Sequence, residues 1–174
     1  MASQVRRKAL YGDVMANQVE MLEARSGDDY AAARTLIEEY AVALGVDLCF
    51  QHFSEEIANL PAIYGPPRGC LLLARRDGEV VGCVAVRDRG AAVCEMKRLY
   101  VKSQGRGTGL GRRLVESAVA HARQSGYSRM VLDTLPSMIE AQSLYKSLGF
   151  REIDGYYQNP LSGVRYLAFE LTTR

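Results

Sequence analysis

Tryptophan is missing from this chain, histidine occurs twice, proline five times, and the formal charge is only +2. Each shortage excludes something. So small a charge, with its basic residues dispersed and not gathered in a stripe, argues against a nucleic-acid partner or an anionic membrane surface. The four cysteines, Cys49, Cys70, Cys83 and Cys94, form no Cys-x-x-Cys pair, so no metal site is expected. Cys70, Cys83 and Cys94 lie in apolar, strand-like runs and read as reduced core residues, which points to a cytoplasmic protein. No run approaches the roughly 20 apolar residues of a spanning helix, and no apolar stretch follows the basic start as a secretory signal requires.

What is present suits one α/β domain: 174 residues, 48% hydrophobic and 24% charged. Residues 1–17 read as an N-terminal extension and 18–174 as the domain. Gln18 to Arg25 alternates as a half-buried strand, and Ser26-Gly-Asp-Asp then offers N-cap chemistry for a helix over Tyr30 to Leu44, ended by Gly45. A shorter helix is expected over Ser54 to Leu60, capped by Ser54. Three strands follow, Cys70 to Arg75, Val80 to Val86 and Ala92 to Val101, with turns at Asp77-Gly78 and Asp88-Arg-Gly90. Leu110, Leu114, Ala118 and Ala122 repeat on one helical face that Gly126 closes. A strand over Tyr127 to Asp133, parallel to its predecessor, leads to a helix over Ser137 to Leu148. Strands over Phe150 to Tyr157 and Val164 to Leu171 finish the chain. The expected fold is α/β of the α+β type: a mixed, mostly antiparallel central sheet with helices on both faces.

The densest signal is Gln104-Gly-Arg-Gly-Thr-Gly-Leu-Gly-Arg112, placed between a strand and an amphipathic helix. Glycines let a backbone curl around a ligand and aim several N–H groups one way, and the helix start adds its dipole, which together suit a diphosphate. A P-loop would end in Gly-Lys-Ser or Gly-Lys-Thr, whereas Arg112 follows Gly111. A dinucleotide fingerprint would need differently spaced glycines and βαβ units; Asp133 stands where its ribose-binding acid would, but an antiparallel meander precedes the loop.

Arg106-Gly-Thr-Gly-Leu-Gly111 resembles the GNAT acetyltransferase consensus Arg/Gln-x-x-Gly-x-Gly/Ala, and Ala141-Gln-Ser-Leu-Tyr-Lys-Ser-Leu-Gly-Phe150 resembles that superfamily's Ala-x-x-Leu-Tyr-x-x-x-Gly-Phe. The likeness runs from about residue 18 to the end. It implies an N-acetyltransferase that moves an acetyl group from acetyl-CoA to a primary amine by direct attack in a ternary complex. Arg106, Gly107, Thr108, Gly109, Leu110, Gly111 and Arg112 would hold the pyrophosphate. Leu99, Tyr100 and Val101 would run beside the pantetheine arm and supply an N–H to the oxyanion. The match implies a catalytic base at Glu95 and a catalytic acid at Tyr145. One departure is Met138, where many members carry asparagine.

Each role has a plainer rival. Glu95 could be a strand carboxylate paired with Lys97 or Arg98; as a base it would draw on an apolar strand that raises its pKa. A bulge, which superfamily members carry in this strand, would decide the face. Tyr145 could be a core tyrosine. His121 reads as a surface residue. His52, with Asp47, Phe50, Phe53, Tyr156, Tyr157 and Asn159, would wall an acceptor site suited to a small amine or a peptide amine. A homodimer is compatible with all of this, and the rival function is a non-catalytic module that binds and senses acyl-CoA.

Overall fold

The computed structural model describes residues 19–45 and 52–172. Strand β1 (Glu20–Glu23) leads into α1 (Gly27–Leu44), then α2 (Phe53–Ala58), α3 (Leu60–Tyr64), β2 (Cys70–Arg76), β3 (Glu79–Gly90) and β4 (Val93–Val101). A 3₁₀ turn (Ser103–Gly105), α4 (Leu110–Gln124), β5 (Arg129–Thr134), α5 (Ile139–Ser147), β6 (Arg151–Ile153) and β7 (Arg165–Glu170) complete it. The seven strands form one sheet in the order β1-β2-β3-β4-β5-β7-β6, and only β4 and β5 run parallel. The mixed, mostly antiparallel sheet is therefore as the sequence implies.

Alternation along the central strands sorts the core into two layers. Cys70, Leu72, Ala74, Val84 and Val86 face the layer of α4 and α5, while Leu71, Leu73, Cys83 and Ala85 face that of α1 to α3. Leu110, Leu114, Ala118 and Ala122 are all buried, as their spacing predicts. Helix α1 opens on a reciprocal cap: Asp29 N–H donates to Ser26 Oγ (3.1 Å) and Ser26 N–H donates to Asp29 Oδ2 (3.0 Å). Gly45 closes it in the left-handed region.

Three expectations change. The helix expected over Ser54 to Leu60 is two helices broken at Asn59, where Pro61 opens the second, and its cap position is His52 rather than Ser54. The turn expected at Asp88-Arg-Gly90 lies at Ala91-Ala92, both at positive φ (49° and 59°), with Gly90 still paired to Val93. The strand expected over Phe150 to Tyr157 stops at Ile153, because Tyr156 and Tyr157 leave the sheet to hydrogen-bond acidic side chains.

Candidate active site

The site begins where two parallel strands stop being parallel neighbours. Strands β4 and β5 pair only over Val93–Glu95 against Arg129–Val131. Beyond Glu95, β4 keeps its β3 partners but none from β5. The register between Ala85–Lys97 and Cys83–Tyr100 takes in one extra residue, and Arg98 sits there at φ +58°. That is the bulge the resemblance implies, and it turns the strand away from β5.

A groove of about 490 Å³ fills the resulting wedge, between the end of β4, the loop before α4 and the start of α5. Leu99, Tyr100, Val101, Arg106, Gly107, Gly109, Leu110, Gly111 and Arg112 line it, so of the residues expected to hold the cofactor only Thr108 is off the wall. Thr108 instead donates its hydroxyl to the Gly105 carbonyl (2.7 Å), fixing the loop. Gly107 and Gly109 have φ of +74° and +78°, and a Cβ on either would meet nothing within 4 Å except the open groove. Gly109 caps α4 without any side-chain hydrogen bond, leaving the helix start facing the groove. The loop is braced from outside: Arg106 Nε donates to the Val101 carbonyl (3.0 Å), and Arg112 turns to Ser147 Oγ (2.7 Å).

The groove narrows into a neck of about 40 Å³ between Tyr40, Lys97, Leu99, Thr134, Met138 and Tyr145. Tyr145 is buried, yet its hydroxyl makes no hydrogen bond among the described residues. Burial, then the nearby Tyr40 and Asp133, pushes its pKa well above that of a free phenol. Thr134 Oγ1 is also buried without a partner among the described residues. Two unclaimed hydroxyls on one small cavity are what a ligand oxygen or sulfur would satisfy. Met138 stands at the junction of neck and groove, at the cap of α5.

Glu95 is not as its apolar strand suggests. It is fully buried, and both carboxylate oxygens are taken. Arg87 reaches Oε2 through Nε and Nη2 (2.7 Å each), Arg89 Nη1 approaches the same oxygen (3.3 Å), and the Tyr156 hydroxyl donates to Oε1 (2.8 Å). Burial alone would raise its pKa, but Lys97, Arg87 and the Tyr156 hydrogen bond outweigh burial and lower it. The expectation of a raised pKa is therefore corrected: Glu95 is a charged, enclosed anchor that lines neither the neck nor the groove.

Past Lys97, which lines the neck, a second cavity of about 290 Å³ opens between β3, β4 and α2. His52 and Tyr157 line it; Tyr157 donates to Asp133 Oδ2 (3.0 Å) and accepts from Asn159 Nδ2 (2.8 Å). Phe53 lies under the Arg98 guanidinium (5.2 Å), and His121 on α4 pairs with Ser125, which caps that helix (3.2 Å). Asp47, Cys49 and Phe50 lie outside the described residues. Sequence reasoning missed Arg87, Arg89, Lys97, Tyr40 and Thr134 as site residues. Arg87 and Arg89 were legible as alternate residues at the end of a strand; Lys97 was marked only as a possible partner of Glu95, and nothing in sequence marks Tyr40 or Thr134. Among the described residues no group of His, Cys, Asp and Glu could hold a metal.

The sequence model described as the acetyltransferase (GNAT) family matches residues 31–150. An uncharacterized N-acetyltransferase of Schizosaccharomyces pombe is 44% identical over 147 residues, covering 83% of this chain and 88% of that protein. The human N-acetylaspartate synthetase is 42% identical over 104 residues, covering 56% of this chain and 33% of that protein. Among solved structures, a Salmonella typhimurium protein (yncA) determined with its cofactor acetyl-CoA overlays with a TM-score of 0.65 at 20% identity, covering 91% of this chain and 96% of that one.

Proposed function

The chain belongs to the GNAT acetyltransferase family, and from that premise we propose that it transfers an acetyl group from acetyl-CoA to a primary amine in a ternary complex. The observation that carries the reading is the continuous path from the glycine loop, along the unpaired edge of β4, to the neck at Tyr145. The Salmonella protein's cofactor supports acetyl-CoA as the donor, and the human relative's name supports an amine as the acceptor. The pyrophosphate would sit on the N–H groups around Gly107 to Gly111, where bare glycine backbone and an uncapped helix start favour an anion. The pantetheine arm would pair with the edge of β4 at Leu99 to Val101, and the acetyl group would reach the neck.

In the neck, Tyr145 keeps its proton across the working pH range. It would act by donating a hydrogen bond to the leaving thiolate, whose charge is poorly solvated there. Thr134 Oγ1 or an N–H of the bulged strand would meet the oxyanion. Glu95, closed and charged, would act through the cations that it holds, and the amine would lose its proton to water in the open cavity beyond Lys97. The buried free thiols of Cys70, Cys83 and Cys94 suit the cytoplasm.

Calorimetry with acetyl-CoA, followed by thiol release across a panel of amines, tests this. Binding and amine-dependent release support it; no binding of acetyl-CoA overturns it. Binding without transfer to any amine would favour the sensing module.

A further inference from the structure

The floor of the cavity beyond Lys97 is lined by cations, two of them arginines. Arg87 and Arg89 both converge on one oxygen of Glu95, with Lys97 Nζ 4.0 Å from the other oxygen and 3.8 Å from Asp133 Oδ1. Glu56 is committed elsewhere: it forms a two-point pair with Arg98 (2.8 and 2.7 Å) and accepts from Tyr64 (2.7 Å). Among the described residues, Arg87, Arg89, Lys97 and Arg98 thus stand with three carboxylates, Glu56, Glu95 and Asp133. Glu55 adds a fourth carboxylate only at the rim, where it faces His52 (3.4 Å) with its side chain 78% exposed, so water screens it.

Geometry singles out the two arginines. Arg89 lies over the Tyr156 ring (4.9 Å), which fixes its plane, and one of its five N–H donors is directed at Glu95. Both arginines line the cavity with side chains about a third exposed, so part of each donor fork faces the open space. Fixed, partly desolvated guanidinium groups with donors to spare recognise carboxylate. We propose that this cavity is the acceptor subsite, and that it takes an amine carrying at least one carboxylate, an amino acid by class, with the carboxylate on Arg87 and Arg89. Lys97 lines both the cavity and the neck, so the two adjoin at its side chain, and in this proposal the amine of a small molecule faces the neck while its carboxylate faces the arginines. A polyamine would set its positive charges against the arginines. The inference rests on the acetyltransferase reading.

The test uses the full chain with acetyl-CoA and matched acceptors: L-aspartate and L-alanine against L-alaninamide, ethylamine and spermidine. The carboxylate-bearing amines should have kcat/KM at least about tenfold higher, as a charge-assisted hydrogen bond implies. Arg89→Gln should raise their KM about tenfold while leaving acetyl-CoA affinity unchanged, and Arg89→Lys should recover part of the loss. Equal or better use of the carboxylate-free amines overturns the inference but not the transferase reading. If no amine is acetylated, succinate serves as the probe. Succinate, but not its diamide, should raise the melting temperature of the wild type and not that of Arg89→Gln. No such difference overturns the carboxylate subsite on its own.

Discussion

At the scale of single residues, the tyrosine and the glutamate make opposite predictions. Tyr145→Phe removes a hydroxyl that has no hydrogen bond among the described residues, so stability should change by less than about 1 kcal/mol. If that hydroxyl serves the departing thiolate, kcat should fall about 10²-fold with acetyl-CoA affinity kept, and a donor with a more acidic thiol should recover part of the loss. Equal slowing of both donors would assign the effect to packing. Glu95→Gln strips a charge from beneath two arginines and should cost on the order of 2 kcal/mol at neutral pH, below the ~3–5 of a fully buried pair because Arg87 and Arg89 keep some water. The folded Glu95 titrates below the ordinary 4.5, so its stabilisation is present above that value and lost as pH falls through the lower, folded pKa. Unfolding curves of mutant and wild type should therefore separate at pH 7 and converge in acid. In kinetics, kcat/KM of both should climb with pH toward the amine's own pKa near ~8–10; a climb that vanishes in Glu95→Gln would restore the glutamate as base.

At the scale of elements, the glycine loop and the β3–β4 turn give contrasting tests. Gly109→Val places a branched side chain at φ +78° on the groove wall, so acetyl-CoA affinity should fall at least ~10-fold by calorimetry while thermal unfolding stays cooperative. The turn at Ala91-Ala92 holds two alanines in the left-handed region, each strained by about 1–2 kcal/mol, so Ala91→Asn with Ala92→Gly should raise the melting temperature. These two places also mark what the sequence could and could not say. Glycines at Gly107 and Gly109 advertise positive φ, and the loop was legible down to its wall-lining residues. Ala91 and Ala92 advertise nothing, so the turn was sought at the nearest glycine. Helix α4 was legible from its four-residue repeat because its packing is local in pattern. The acceptor cavity was not, since Arg87 and Lys97 meet only through β3–β4 register, and Tyr156 reaches Glu95 across 61 residues of chain. Burial of Glu95 was foreseeable from its apolar neighbours, and so was Lys97 as a partner; the arginines and Tyr156 that complete the reversal of that burial were not.

At the scale of the whole molecule, charge and binding set stability together. Glu56 joins α2 to β4 through Arg98, and Asp29 caps α1; both carboxyls titrate below their ordinary values, so they reinforce the acid sensitivity of Glu95. Acetyl-CoA at 100 times its Kd should stabilise the fold by ~2.7 kcal/mol, measurable as a concentration-dependent melting temperature. The three-pair contact between β4 and β5 has a consequence of its own. Two parts of one sheet, β1 to β4 and β5 to β6, pair as strands only from Val93 to Glu95, and past it the amides of β4 that point toward β5 have no β5 carbonyl to shelter them. In deuterated water those amides between Met96 and Val101 should exchange quickly while their β3-facing neighbours hold their protons. A donor molecule lying along that edge should slow them, strand-like, one alternate residue at a time.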